Sequence, residues 1–310
     1  MSYPVVVIGV PYAPPPPPGG SFQRGTNTWT GWDGSRWDLG NTDGGVVFTD
    51  GGVTGLHMPP FEHLTSDSPA TSGARWRGVR TLSRPVDWNL LIWSDASSEE
   101  WRLRDSAFWR TMHPDKTGTW THTTPAGTSR HLHLRYTGGE QAFPLDPHEA
   151  GWVLYQPQMA ADEPHWFGDE IVRSWGSPEL VDFFNETAGP GDDHLFFISA
   201  ASNIENATLL NPGDVSAWPI WTLTGPLSAV SIEVNGGMLG LPDVELGQTL
   251  VVNTDPRVAT ATLNGADVAG LVNPWDPRPV PPGAEVPTQI VASGAGLVTV
   301  TLVPRYYRAW

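Results

Sequence analysis

Residues 207–236 read ATLLNPGDVSAWPIWTLTGPLSAVSIEVNG. Two turn signals, Asn211-Pro212-Gly213-Asp214 and Gly225-Pro226, cut this stretch into short segments. In the last segment Val230, Ile232 and Val234 alternate with Ala229, Ser231 and Glu233. A period of two with one apolar side is the pattern of a half-buried antiparallel strand. Asn235-Gly236 then supplies two residues that tolerate positive φ, the requirement of a tight hairpin turn. The same grammar continues through strands at 248–253 and 257–263, the turn Asn264-Gly265, and a final alternating strand at 297–303. About eight short strands in roughly 100 residues predict a β-sandwich.

Outward from that module, length and composition set the rest. A chain of 310 residues exceeds the size at which one core stops growing, so two domains are expected, 1–200 and 201–310. The 16 Trp, 31 Pro and 34 Gly describe short segments broken by turns, with large aromatics filling thin cores. The absence of Cys removes disulfide scaffolds, thiolate metal sites and thiol nucleophiles together. The first ten residues carry neither a basic leader nor an apolar run long enough for a membrane span, so a soluble product made in the cytosol and no membrane insertion are expected.

The net charge is −16, divided as 13 − 24 = −11 before residue 201 and 4 − 9 = −5 after it. Phosphate backbones are gripped by Lys and Arg, so specific nucleic-acid binding is not expected, whereas nucleic acid could slide past an acidic wall without sticking.

In the first half, the segment Pro14 to Pro18 followed by Gly19 and Gly20 reads as a stiff spacer after a short strand at 4–10. Asp33-Gly34 suits a tight turn inside an aromatic hairpin, and two Thr-Asp-Gly-Gly turns bracket Val46, Val47 and Phe48 as a strand pair. Two strands are expected within 76–93, with Pro85 at an edge or break. Ser97 and Glu100 form a capping box for a helix over 98–112, ended by Pro114 and lying across a sheet. Strands at 120–124, 130–136, 152–155 and 195–198 follow, with an irregular stretch at 156–193 holding a short helix at 178–184.

The search for chemistry finds little. His131 and His133 would share one strand face, as metal ligands in a cupin do, but Glu140 lies seven residues on rather than four or five. Asp162, Glu163, Asp169 and Glu170 flank His165-Trp166, the ingredients of a glycosidase site, although irregular sequence does not fix the spacing two catalytic carboxyls need. The remaining histidines, His57, His63, His113, His122, His148, His165 and His194, read as surface or turn residues. No catalytic residue, metal site or cofactor is expected, and any ligand-binding residue is unknown.

The order of turns carries a resemblance. Asn211-Pro212-Gly213-Asp214, Trp218-Pro219-Ile220, Thr222-Leu223-Thr224-Gly225-Pro226, and the run from Leu246-Gly247-Gln248 through Asn253-Thr254 to Asn264-Gly265 resemble the C-terminal domain of siphophage distal tail proteins. Trp32-Asp33-Gly34-Ser35-Arg36-Trp37-Asp38-Leu39, Gly52-Val53-Thr54-Gly55-Leu56 and Gly73-Ala74-Arg75-Trp76-Arg77-Gly78 look like minor tail proteins of phages infecting actinobacteria. Departures are Glu285 after the retained Pro281-Pro282-Gly283, and the Pro-Trp-rich loop from Asn273 to Pro279.

The resemblance implies a mainly β fold: a tail-tube-like β-barrel or split sandwich with one covering helix, then a galectin-like β-sandwich. It also implies a non-enzymatic virion protein at the distal end of a long non-contractile tail. Six copies would form a ring hub that continues the DNA channel and contacts the tail tube, tape measure and tail-tip proteins. A host-surface carbohydrate-binding adhesin is the alternative. Residues 207–310 contain no His-x-Asn-x-Arg strand, so the sugar binding of galectins is not carried over.

Overall fold

The computed structural model describes residues 23–70, 72–139, 143, 145–176 and 204–310. The expected strands at 4–10 and 195–198, the Pro14 to Pro18 spacer, the helix at 178–184 and the boundary near residue 200 lie outside these residues. The described chain is mainly β, as expected, with two α-helices, α1 (Ser98–Arg110) and α2 (Pro147–Ala150).

The first half is a curled, half-barrel sheet. Its path runs Arg36–Asp38, Thr26–Thr30, Thr117–Thr123, Ser129–Gly138, Gln158–Ala161, Arg84–Trp93 and Val46–Val53. Each neighbouring pair is antiparallel. Trp152–Tyr155 joins the end of Arg84–Trp93. The two Thr-Asp-Gly-Gly segments do not make a strand pair: the first becomes a short 3-10 turn, and the second is absorbed as a register shift within Val46–Val53.

Alternation points Trp29, Trp88, Trp120 and Trp166 inward, where all are buried. Their rings meet edge to face in a chain, with centroids 5.3 Å apart for Trp29 and Trp88, 5.4 Å for Trp88 and Trp120, and 5.0 Å for Trp120 and Trp166. Such contacts add to the burial that aromatics already supply. Gly118 makes room for this packing, because a Cβ there would stand 2.3 Å from the Trp29 ring.

Helix α1 closes the core. Ser97 caps it, its hydroxyl accepting from Glu100 N at 3.1 Å, while the Glu100 carboxylate turns forward to Arg104 at 2.7 Å. Trp101 and Phe108 are its buried residues. Thr111, just past its end, accepts from Trp29 Nε1 at 2.7 Å and donates to Phe108 O at 2.6 Å. Helix α2 was not expected, although Asp146, Pro147 and Gly151 supply the cap, first residue and left-handed stop that such a turn needs.

The second half is a sandwich of a six-stranded and a four-stranded sheet. Asn235-Gly236 and Asn264-Gly265 both have positive φ and turn hairpins, as their sequences predict. Trp221, Leu223, Ile232, Leu250, Val252 and Val300 are fully buried between the sheets. Glu285–Ser293 is a central strand that the sequence reading passed over. Its Pro287 faces Thr208 in the register.

The two halves interleave. Ile171–Gly176, within the stretch read as irregular, is an edge strand of the sandwich, paired with Leu297–Leu302. In the other direction Arg305–Tyr306 leaves the sandwich and pairs with Trp166–Phe167 of the curled sheet. Ala309 ends up fully buried in the first core, its N–H donating to Leu56 O at 2.9 Å.

Candidate functional site

His131 and His133 do share the outer face of Ser129–Gly138. His131 Nδ1 lies 2.9 Å from the Thr121 hydroxyl and His133 Nδ1 lies 3.2 Å from that of Thr119, both on the adjacent strand. Burial and the nearby His131 hold His133 below the usual histidine range. His131 Nε2 is 4.0 Å from Asp169, and Glu140 lies outside the described residues. Among the described residues, no three His, Asp or Glu side chains converge as a metal site needs.

The four carboxylates of the suspected hydrolase cluster separate into different environments. Asp162 pairs with Arg135 on the surface at 3.1 Å. Glu163 turns inward: its Oε1 meets His165 Nδ1 at 2.6 Å and Arg305 Nη1 at 3.6 Å, and its Oε2 binds Arg257. Asp169, beside His131, and Glu170 next to it are both exposed. The geometry makes Glu163 the hub of an ionic cluster joining the halves. His165 comes from the loop after Gln158–Ala161, Arg257 from the sandwich and Arg305 from the returning tail.

His165, expected at the surface, is buried. Burial, Arg305 and Arg84 lower its pKa to about 4. Sequence spacing carried no signal of this, because Arg84 and Arg305, the cations that face it, lie 165 − 84 = 81 and 305 − 165 = 140 residues away.

Beside this cluster lies a second junction. Arg84 is buried, 1% exposed, and its guanidinium donates only to backbone carbonyls. These are Pro164 O at 2.7 Å, Gly55 O at 2.6 Å, His57 O and Tyr307 O at 2.7 Å. Burial lowers its pKa to about 10, so it keeps its charge at neutral pH. A buried cation held by carbonyl dipoles is tolerated because every donor aimed inward finds an acceptor. The tail is fastened further by Arg130, which stacks over the Tyr306 ring at 3.5 Å and donates to Arg308 O at 2.7 Å.

These polar groups therefore join two cores. Among the described residues, no helix is long and apolar enough to cross a membrane. The accessible features are surfaces: the outer face of the curled sheet and the separate hairpin Phe61–Asp67 with Ala74–Thr81.

No family model matches the chain. In sequence it is similar to minor tail protein Gp27 of Mycobacterium phage L5, 24% identical over 326 residues, covering 90% of this chain and 96% of that protein. It is also similar to minor tail protein Gp27 of Mycobacterium phage D29, 25% identical over 147 residues, covering 46% of this chain and 44% of that protein. In structure it is similar to the SPP1 Dit protein (gp 19.1), described as a paradigm of the hub adsorption apparatus in phages infecting Gram-positive bacteria. That match has a TM-score of 0.59 at 13% identity and covers 91% of this chain and 99% of the other. A chain of the phage p2 baseplate in its activated conformation matches with a TM-score of 0.53 at 10% identity, over 90% and 98% of the two chains. The resemblance read from the sequence, to distal tail proteins and to minor tail proteins of phages infecting actinobacteria, is borne out by the comparisons.

Proposed function

We propose that this chain is a structural component of a phage tail and forms a hexameric ring hub at the distal end of a long non-contractile tail tube. The observation that carries the reading is whole-chain agreement: one alignment to a minor tail protein and one superposition on a Dit hub protein each span about nine-tenths of the chain, across both halves. In this reading the ring continues the DNA channel, joins the tail tube and tape measure proteins on one side, and anchors tail-tip proteins on the other. In it the curled sheet would build the ring, and the sandwich, which takes in Ile171–Gly176 from the first half, would face outward.

Two features of the molecule support it. The carboxylates that could have done hydrolysis are engaged in joining the halves or stand apart on the surface. The outer face of Thr26–Thr30, Thr117–Thr123 and Ser129–Gly138 presents Thr28, Thr30, Thr119, Thr121, His131 and His133 in register. The same face is continued by Arg36, Asp38 and Arg135, with Asp169 beside His131, so both signs of charge flank the hydroxyls and imidazoles and no cationic excess grips a phosphate backbone, which suits DNA in passage. The adhesin alternative draws less support, since the exposed Trp32, Trp76, Trp152, Trp275 and Trp310 lie on five separate segments.

Electron microscopy of particles carrying a labelled copy of this chain tests the proposal. Label at the tail end and a ring formed by the purified protein, alone or with tail-tube protein, are expected. Label on the capsid or along the tail shaft would sink it.

A further inference from the structure

Helix α1 and residues 145–148 border a depression that none of the contacts joining the halves uses. It opens to solvent, holds about 760 Å³, and its lining includes Trp101, Asp105, Phe143, Leu145, His148 and Tyr155. A volume of this order is that of a ligand site. Trp101 and Asp105 stand four residues apart on α1 and so share one face of it. Trp101 Nε1 donates to Ile92 O at 3.3 Å, and the Trp109 and Tyr155 rings meet edge to face at 5.0 Å. Across the depression the Ser98 hydroxyl donates to His148 O at 2.5 Å, and Asp146 Oδ1 accepts from His148 N at 2.9 Å. These bonds set the walls before any ligand arrives.

The polar groups of this depression are unevenly matched. Asp105 is half-buried, and its Oδ1 accepts from the Tyr155 hydroxyl at 2.6 Å. Among the described residues no hydrogen bond or ion pair engages its other oxygen. Burial raises the Asp105 pKa, with the Tyr155 hydrogen bond and nearby His148 pulling the other way. Arg102 also lines the depression, but its Nε and Nη2 donate to the Glu99 carboxylate at 3.0 and 2.6 Å. Asp146 adds a second, exposed carboxylate. Two carboxylates and three aromatic rings therefore face a space into which, among the described residues, no unengaged Lys or Arg projects.

That composition selects the occupant. An anion would be repelled, and a neutral ligand covering Asp105 would bury its charge without a counter-charge. A cation is attracted by the carboxylates and by the ring faces together. Exposed Phe143 and Leu145 at the rim offer apolar surface to a methylene stem. Between the two basic side chains the site favours arginine. Its planar guanidinium stacks on aromatic rings while its edge meets a carboxylate, and it sheds water more readily than an ammonium.

We propose that this depression seats an arginine side chain of a partner protein, its guanidinium on Asp105 beside the Trp101 and Tyr155 rings and its stem along Phe143 and Leu145. The site stands on its own geometry. Only the placing of its partner within a tail particle rests on the reading of this chain as a tail component.

The test titrates the full chain with blocked Gly-Arg-Gly, Gly-Lys-Gly and Gly-Gln-Gly peptides and with spermidine. The Trp101 indole N–H resonance, assigned through Trp101→Phe, is followed by NMR. A saturable shift with the Arg peptide, a weaker one with Lys and none with Gln are expected. Asp105→Asn keeps an acceptor for Tyr155 and the parent's melting temperature, yet should weaken Arg binding by about tenfold or more. Arg102→Gln should leave that binding equal or tighter. Equal responses to Arg and Gln, or full binding by Asp105→Asn, overturn the site. Saturation by spermidine without a response to the Arg peptide overturns the assignment to a protein side chain. The chain has no Cys, so a photo-cross-linker on Phe143→Cys reports from this rim alone in assembled particles. It should mark an Arg-containing segment of another tail protein, and marking only segments without Arg overturns the partner. A chain absent from tails by microscopy removes the tail reading while the peptide titration still decides the site.

Discussion

The Arg84 guanidinium donates to the Tyr307 carbonyl at 2.7 Å, joining residues 223 positions apart. The same side chain holds Gly55, His57 and Pro164. Replacing it with Ala leaves four carbonyls without their donor, at a cost of about 1 to 3 kcal/mol for each one that water cannot reach. Arg84→Ala is expected to lose about 3 kcal/mol or more in denaturant titration. Arg84→Lys should recover part of the loss, since three donors at one point cannot reproduce the planar fork. A loss under about 0.5 kcal/mol for the Ala variant would show that the carbonyls find water.

The returning tail predicts which part of the molecule depends on it. Removing residues 305–310 deletes the pairing with Trp166–Phe167, the buried Ala309 and the Arg305 partner of Glu163. Hydrogen exchange should accelerate most at 55–57, 130–132 and 163–167, while the sandwich core around Trp221 and Ile232 keeps its protection. Uniform acceleration across both cores would contradict this division.

What the sequence made legible follows from range. Asn235-Gly236, Asn264-Gly265, the Ser97 cap and the alternation of 228–234 are local devices, and each is realised where the residues stand. Ile171–Gly176 was hidden because the exposed run Val172, Arg173 and Ser174 does not alternate in burial, and its partner strand is more than 100 residues away. Glu285–Ser293 alternates well, but a Pro at 287 weighs in sequence against a central strand. The Glu163, His165, Arg257 and Arg305 cluster could not be read at all, since nothing local distinguishes a buried carboxylate from a solvated loop.

His165 gives the junction a pH dependence whose sign is fixed. Its folded pKa of about 4 lies below the ordinary histidine value of 6.5, chiefly through burial, with Arg305 and Arg84 opposing a further positive charge. The folded state therefore holds the neutral ring while the unfolded chain takes up a proton. Its contribution to stability is fully present above about pH 6.5 and is lost as pH falls toward about 4. Between pH 6.5 and 5 the midpoint of denaturation should fall more steeply for the parent than for His165→Gln. Parallel curves in that window would assign the neutral state to some other cause.

Gly118 gives the packing its sharpest test. A methyl group at this position would sit 2.3 Å from the Trp29 ring and 2.8 Å from Thr30 O. Trp29 cannot retreat freely, because its Nε1 is held by Thr111 and its ring abuts Trp88. Gly118→Ala should therefore cost about 1 to 3 kcal/mol by overpacking, although Ala is the better strand residue on entropy alone. Gly118→Ala combined with Trp29→Phe should recover part of that loss relative to the sum of the two single changes, because the smaller ring withdraws from the new methyl. Strict additivity in this double-mutant cycle would mean that the strain falls on the strand backbone at Thr30 instead of the indole.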